Sequence, residues 1–187
     1  MRGQYSIDES ERVAGYLGGC FDELYRGLGE GAARFDDDAV VVVTFELART
    51  FGAVRTRFED LLAHRAGTDP RPAWGASGVI GDVLTEASSL DASGALVLYI
   101  TSMVVTPRLL VSLRDAAEGA GASSGAPLVM ATRAGADALL ASSRRIADVS
   151  SRRGPIEDES WRTHAHRLES LVDAAGFSES FGLGITG

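Results

Sequence analysis

Four arginines stand as two doublets, Arg144 with Arg145 and Arg152 with Arg153, in the stretch SSRRIADVSSRRGP (142–155). Clustered guanidinium groups can hold phosphate or carboxylate through paired N–H donors. On a helix, eight residues advance about 800°, which sets the doublets about 80° apart instead of in one stripe. They fall in the last turns of an expected helix, just ahead of Glu157, Asp158 and Glu159. Cations complement a helix C-terminus, and the following acids supply counter-charge. The doublets therefore read as a charged helix end and not as an anion or nucleic-acid patch.

His164 and His166 are two residues apart and point to different sides of a helix, so they cannot form the i, i+4 pair of a zinc protease. His164 shares a face with Trp161, Leu168 and Leu171 and is the histidine placed to line a pocket or act as general base. Arg108 or Arg167 would orient an anionic substrate beside such a base. His166, among Arg162, Arg167 and Glu169, is expected at the surface, and His64 at the end of a helix. Cys20 lies on an apolar face with Leu17 and Leu24, where a thiol behaves as a small hydrophobe.

Asp36, Asp37 and Asp38 point in three directions and lack the alternating oxygens of a calcium loop; they read as a helix cap. Gly75, Gly78 and Gly81 do not make a dinucleotide fingerprint, and a chain without lysine cannot complete a P-loop. No metal site and no cofactor is expected.

These residues ride on helical patterns. Asp8 and Glu11 fit a helix start, and Val13, Leu17, Phe21, Leu24 and Leu28 follow at helical spacing until Gly27, Gly29 and Gly31. Val40, Thr44, Leu47, Phe51, Val54, Phe58 and Leu61 recur at alternating steps of four and three, which predicts one long helix over about 38–66 in spite of four consecutive valines. A third helix is expected from Pro72 to Leu90. The next segment is apolar on nearly every side from Ala95 to Val105 and belongs at the centre, with Pro107 kinking or breaking it. Pro127 opens a helix to about 150, and Pro155 with the acids after it opens a last one, stopped by Gly176.

The expected fold is an all-α, single-domain bundle of about five to seven helices over 1–187, with 177–187 an irregular tail. The alternative is α/β, with VVVVTF, LVLYIT and PLVMAT as short buried parallel strands.

The net charge of −8 speaks against a nucleic-acid partner, and one cysteine excludes an intrachain disulfide. The N-terminus has no signal-like apolar run, and 94–105 is about half a membrane span, so a cytoplasmic location without a membrane partner is expected.

The apolar excess, set against missing catalytic signatures, points to a small-molecule-binding or accessory protein. Its inter-helix cavity would be lined by Trp161, His164, Tyr99 and Met103 and would take a small apolar or aromatic ligand. A homodimer is expected, because the valine run covers more than one helix face. The alternatives are a metal-free enzyme of small-molecule metabolism with His164 as base, and a structural protein–protein interaction module.

Overall fold

The computed structural model of the protein describes residues 5–62, 78–120, 125–153 and 158–175. Among the described residues the chain forms helices and no strands: α1 (Ile7–Ala32), α2 (Asp38–Glu59), α3 (Val79–Leu90), α4 (Ala95–Ala120), α5 (Ala126–Arg153) and α6 (Glu159–Ala174). The all-α expectation holds, and the three segments proposed as strands are helical. His64, the opening of the third helix at Pro72, the last-helix start at Pro155, the stop at Gly176 and the tail lie outside the described residues.

Helix α1 starts earlier than the Asp8–Glu11 spacing suggests. Ser6 is its cap: Glu9 N–H donates to Ser6 Oγ (3.2 Å) and Ser6 N–H donates to Glu9 Oε2 (2.7 Å). The helix then runs through its three glycines instead of ending there. A methyl group on Gly27 would meet Leu84 at 3.0 Å, and one on Gly31 would meet Ser88 at 3.2 Å. These glycines let α1 and α3 approach closely, a use of glycine that local propensity does not reveal. Across the other side of α1, Phe21 stacks on Phe58 of α2 with ring centroids 5.8 Å apart.

Asp37 caps α2, accepting from the N–H groups of Ala39 (2.9 Å) and Val40 (3.2 Å). The helix ends at Glu59, short of the expected 66. Its valines divide as a helix requires: Val40 and Val43 are buried, while Val42 is exposed.

Helix α3 has no side chain of its own to cap it. It begins at Gly78, whose φ of 71° favours glycine. Glu23, one helix away, takes over: its carboxylate accepts from Gly78 N–H (2.8 Å), Ile80 N–H (3.0 Å) and Gly81 N–H (3.2 Å). A carboxylate at this position satisfies orphan donors and meets the positive end of the helix.

Asp91 and Ser93 both cap α4, Asp91 accepting from Leu96 N–H (2.8 Å) and Ser93 from Ala95 N–H (3.3 Å). Pro107 does not break α4. The helix widens to a π-helical stretch, Ile100–Val105, directly before it. Proline lacks the N–H that would close the next turn, and its ring crowds the carbonyl four residues back. A wider turn relieves that crowding, and Thr106 helps to satisfy the opened backbone by donating its Oγ1–H to the Thr101 carbonyl (2.8 Å). Thr101 donates in turn to the Val97 carbonyl (2.8 Å), so its buried hydroxyl needs no distant partner.

Because α4 continues through Pro107, it is the one helix among the described residues long and apolar enough to cross a membrane. Most of its apolar stretch is buried against the rest of the chain. Leu96, Val97, Leu98, Ile100, Val104 and Val105 all lie within one continuous core shared by the six helices. The side of α4 that carries Tyr99, Ser102 and Met103 does not; Met103 is 61% exposed. The helix is therefore not enclosed on every side, as its composition suggests.

Candidate functional site

The uncovered side of α4 forms one wall of a cleft of about 360 Å³, with α5 as the second wall and the start of α6 as the third. Helix α4 contributes Ala95, Tyr99, Ser102 and Met103. Helix α5 contributes Ser143, Ile146, Ala147 and Ser150, which recur every three or four residues and so fall on one face. Trp161 of α6 meets Tyr99 edge to face, with centroids 5.2 Å apart and planes at 71°. The lining is mostly aliphatic, aromatic and thioether, the composition of small-molecule pockets between helices.

Arg153 stands at the rim and is the only charged residue in the lining. It is already engaged, contacting Asp37 Oδ2 (3.0 Å) and donating to the Ser93 carbonyl (3.0 Å). The hydroxyl of Ser102 donates to the Leu98 carbonyl in its own helix (2.9 Å). Two polar atoms are left over. Trp161 Nε1 and Ser143 Oγ are shielded from water and have no hydrogen-bond partner among the described residues.

Tyr99, Met103 and Trp161, three residues expected around a cavity, thus come together. His164 does not join them; it is half-buried one turn further along α6 and is not part of the cleft lining. Arg108 and Arg167 also lie elsewhere. Arg108 pairs with Asp173, reaches Glu169 at 3.8 Å and donates to the Val104 carbonyl at 2.6 Å, which ties the turn after the π-helical stretch to α6. Arg167 pairs with Glu86 of α3. Neither guanidinium is presented to the cleft beside a histidine.

The arginine doublets are indeed the end of a helix, and among the described residues Arg145, Arg152 and Arg153 find partners other than Asp158 and Glu159. Arg145 pairs with Glu46 and Arg153 with Asp37, both on or capping α2, while Arg152 pairs with Asp148 one turn back. The 80° offset does not stop Arg145 and Arg153 from reaching one neighbouring helix, because α5 packs along α2 and the side chains are long. The serines of the same repeat serve the opposite purpose: Ser143 and Ser150 face the cleft. Their spacing, two helical turns apart with Ile146 and Ala147 between, was the available signal for the α5 wall.

Cys20 is fully buried, and desolvation pushes its thiol pKa up, away from the reactive thiolate. No group of three His, Cys, Asp or Glu side chains suited to a metal ion occurs among the described residues. No protein-family model, curated protein or solved structure matches this chain.

Proposed function

We propose that the protein binds a small apolar or aromatic molecule in the cleft between α4, α5 and the start of α6. One observation carries the reading: Tyr99, Met103, Ile146 and Trp161, from three helices, line one concave and mostly apolar site. An aromatic pair offers flat stacking area, and a methionine adapts to the shape of a guest. The volume of about 360 Å³ lies at the small end of the range for ligand pockets.

The enzyme reading has less support. It needs a histidine base and a free arginine in one wet pocket, and His164, Arg108 and Arg167 are not arranged so.

The test is a titration with the neutral fluorescent probe N-phenyl-1-naphthylamine. Saturable one-to-one binding is expected in the intact chain, weakened about tenfold by Tyr99→Ala or Trp161→Ala. Absence of saturable binding, or full affinity in both variants, would overturn the reading.

A homodimer is the second reading, favoured by Val42 and Phe45, which are 55% and 50% exposed on α2. Light scattering on the wild type and on Phe45→Glu tests it: a dimer that becomes a monomer is expected, and a wild-type monomer sinks the idea.

A further inference from the structure

We infer that the outer face of α2 is a self-complementary interface, on which a second copy of this chain lays its own α2 antiparallel, with Val42 against the partner's Phe45 and Asp38 beside the partner's Arg49. The inference rests on the homodimer reading above and adds the direction of pairing and the contacts that fix it.

It starts from the winding of α2. Val40, Leu47, Phe51, Val54 and Phe58 are buried on the core side. Asp38, Val42, Phe45 and Arg49 follow one another by steps of four, three and four, and all are exposed. At about 100° per residue they fall in one stripe on the opposite side of the helix. Two large apolar side chains thus stand in the middle of an outward stripe, with an acid at one end and a cation at the other. Among the described residues neither Asp38 nor Arg49 has an ion-pair partner, while Glu46 beside the stripe is already taken by Arg145.

The order of the stripe selects the partner. Steps of four and three are those of helices that pack side by side. The midpoint of Val42 and Phe45 is also the midpoint of Asp38 and Arg49, between Val43 and Thr44. A two-fold axis through that point sets each Val42 against the partner's Phe45 and each Asp38 against the partner's Arg49, so an apolar centre is closed at both ends by an ion pair. A parallel pair would put Asp38 on the partner's Asp38 and Arg49 on the partner's Arg49, and like charges in register repel. An unrelated partner would not require the two pairs to share a midpoint.

Sedimentation equilibrium tests the pairing. The wild-type chain is expected to dimerise with a dissociation constant of about 1–10 μM, since a seam of one helix per chain is a small interface. Asp38→Arg sets cation against cation at both ends of the seam, and Arg49→Asp sets acid against acid. Each variant alone should dimerise at least about tenfold more weakly. An equimolar mixture should pair across species to within a few-fold of wild type, because the cations of one chain then meet the acids of the other. Rescue on mixing also shows both variants to be folded. Should Asp38→Arg not fold, Arg49→Gln carries the test: the wild-type dimer should weaken several-fold between about 0.05 and 0.5 M sodium chloride, and that of Arg49→Gln should not. A wild-type dimer that is untouched by either swap, not restored by mixing folded variants, or not weakened by salt overturns the inference and leaves the homodimer reading standing. A wild-type chain that stays monomeric up to about 100 μM takes both down.

Discussion

Tyr99 and Trp161 meet edge to face, 5.2 Å between centroids, and this single aromatic contact joins the wall of α4 to the start of α6. Such pairs couple by about 0.5–1.5 kcal/mol beyond the area they bury. A double-mutant cycle with Tyr99→Leu and Trp161→Leu, read by urea denaturation, should return a coupling in that range. Strict additivity would mean that the rings contribute only buried area.

Ser143→Ala should leave stability unchanged or raise it by up to about 1 kcal/mol, because the hydroxyl it removes is buried without a partner among the described residues. The same denaturation experiment decides; a loss greater than about 1 kcal/mol would reveal a partner for that oxygen.

Two glycines of α1, two residues apart, should respond oppositely to alanine. At Gly27 the new methyl lies 3.0 Å from Leu84 Cβ and Cδ1, so Gly27→Ala should destabilise by about 1–3 kcal/mol through overpacking. At Gly29 a methyl meets nothing within 4 Å, so Gly29→Ala should stabilise by about 0.5–1 kcal/mol through helix propensity. Melting temperatures that move in the same direction would contradict the close approach of α1 and α3.

Glu23 predicts a pH dependence. Burial pushes its carboxyl pKa above the ordinary 4.5, opposed by the N–H groups of Gly78, Gly81 and Ile80, which favour the anion. With the folded value raised, the folded protein holds this proton to higher pH than the unfolded chain does. The stability it contributes is fully present below about pH 4.5 and is lost as pH rises through the folded value. The stability of wild type minus that of Glu23→Gln should thus be largest in acid and fall toward neutrality. A difference that grows with pH would show that the three N–H donors outweigh burial.

Pro107→Ala should stabilise α4 by about 1–3 kcal/mol, since it restores a backbone donor inside a continuous helix. Guanidinium denaturation measures it. Destabilisation would mean that the ring of Pro107 is needed where it stands.

Periodicity was sufficient for the elements that bury one clean face. The alternating steps of four and three through Val40, Leu47, Phe51 and Phe58 outweigh the strand preference of the valines, and all four residues are buried on one side of α2. The cap of α2 was legible because Asp37 is adjacent to it in sequence, while at α1 the reading fell on Asp8 and passed over Ser6. The cap of α3 was not, because Glu23 comes from another helix, 55 residues from Gly78. The same distinction separates the site residues. Tyr99, Met103 and Trp161 could be picked out as amphipathic or soft side chains amid aliphatic ones, whereas the engagement of Arg108 by Asp173 and of Arg167 by Glu86 depends on which helices lie side by side. A hydrophobic period states which face is covered; it does not state by what.

The π-helical stretch Ile100–Val105 amounts to one residue more than an α-helix of the same rise would hold. It behaves as an internal insertion that the wider turn absorbs. Deleting a single residue there would return α4 to regular winding with its two ends still in phase, whereas the same deletion in a regular stretch would swing one end by about 100° relative to the other. Tyr99 precedes the stretch, whereas Arg108, the anchor to α6, follows it. A one-residue deletion within the stretch would therefore leave Tyr99 on Trp161 and Arg108 on Asp173, whereas one in the regular helix between them and the stretch would set the two contacts out of phase. The stretch thus acts as slack in the winding between these two contacts.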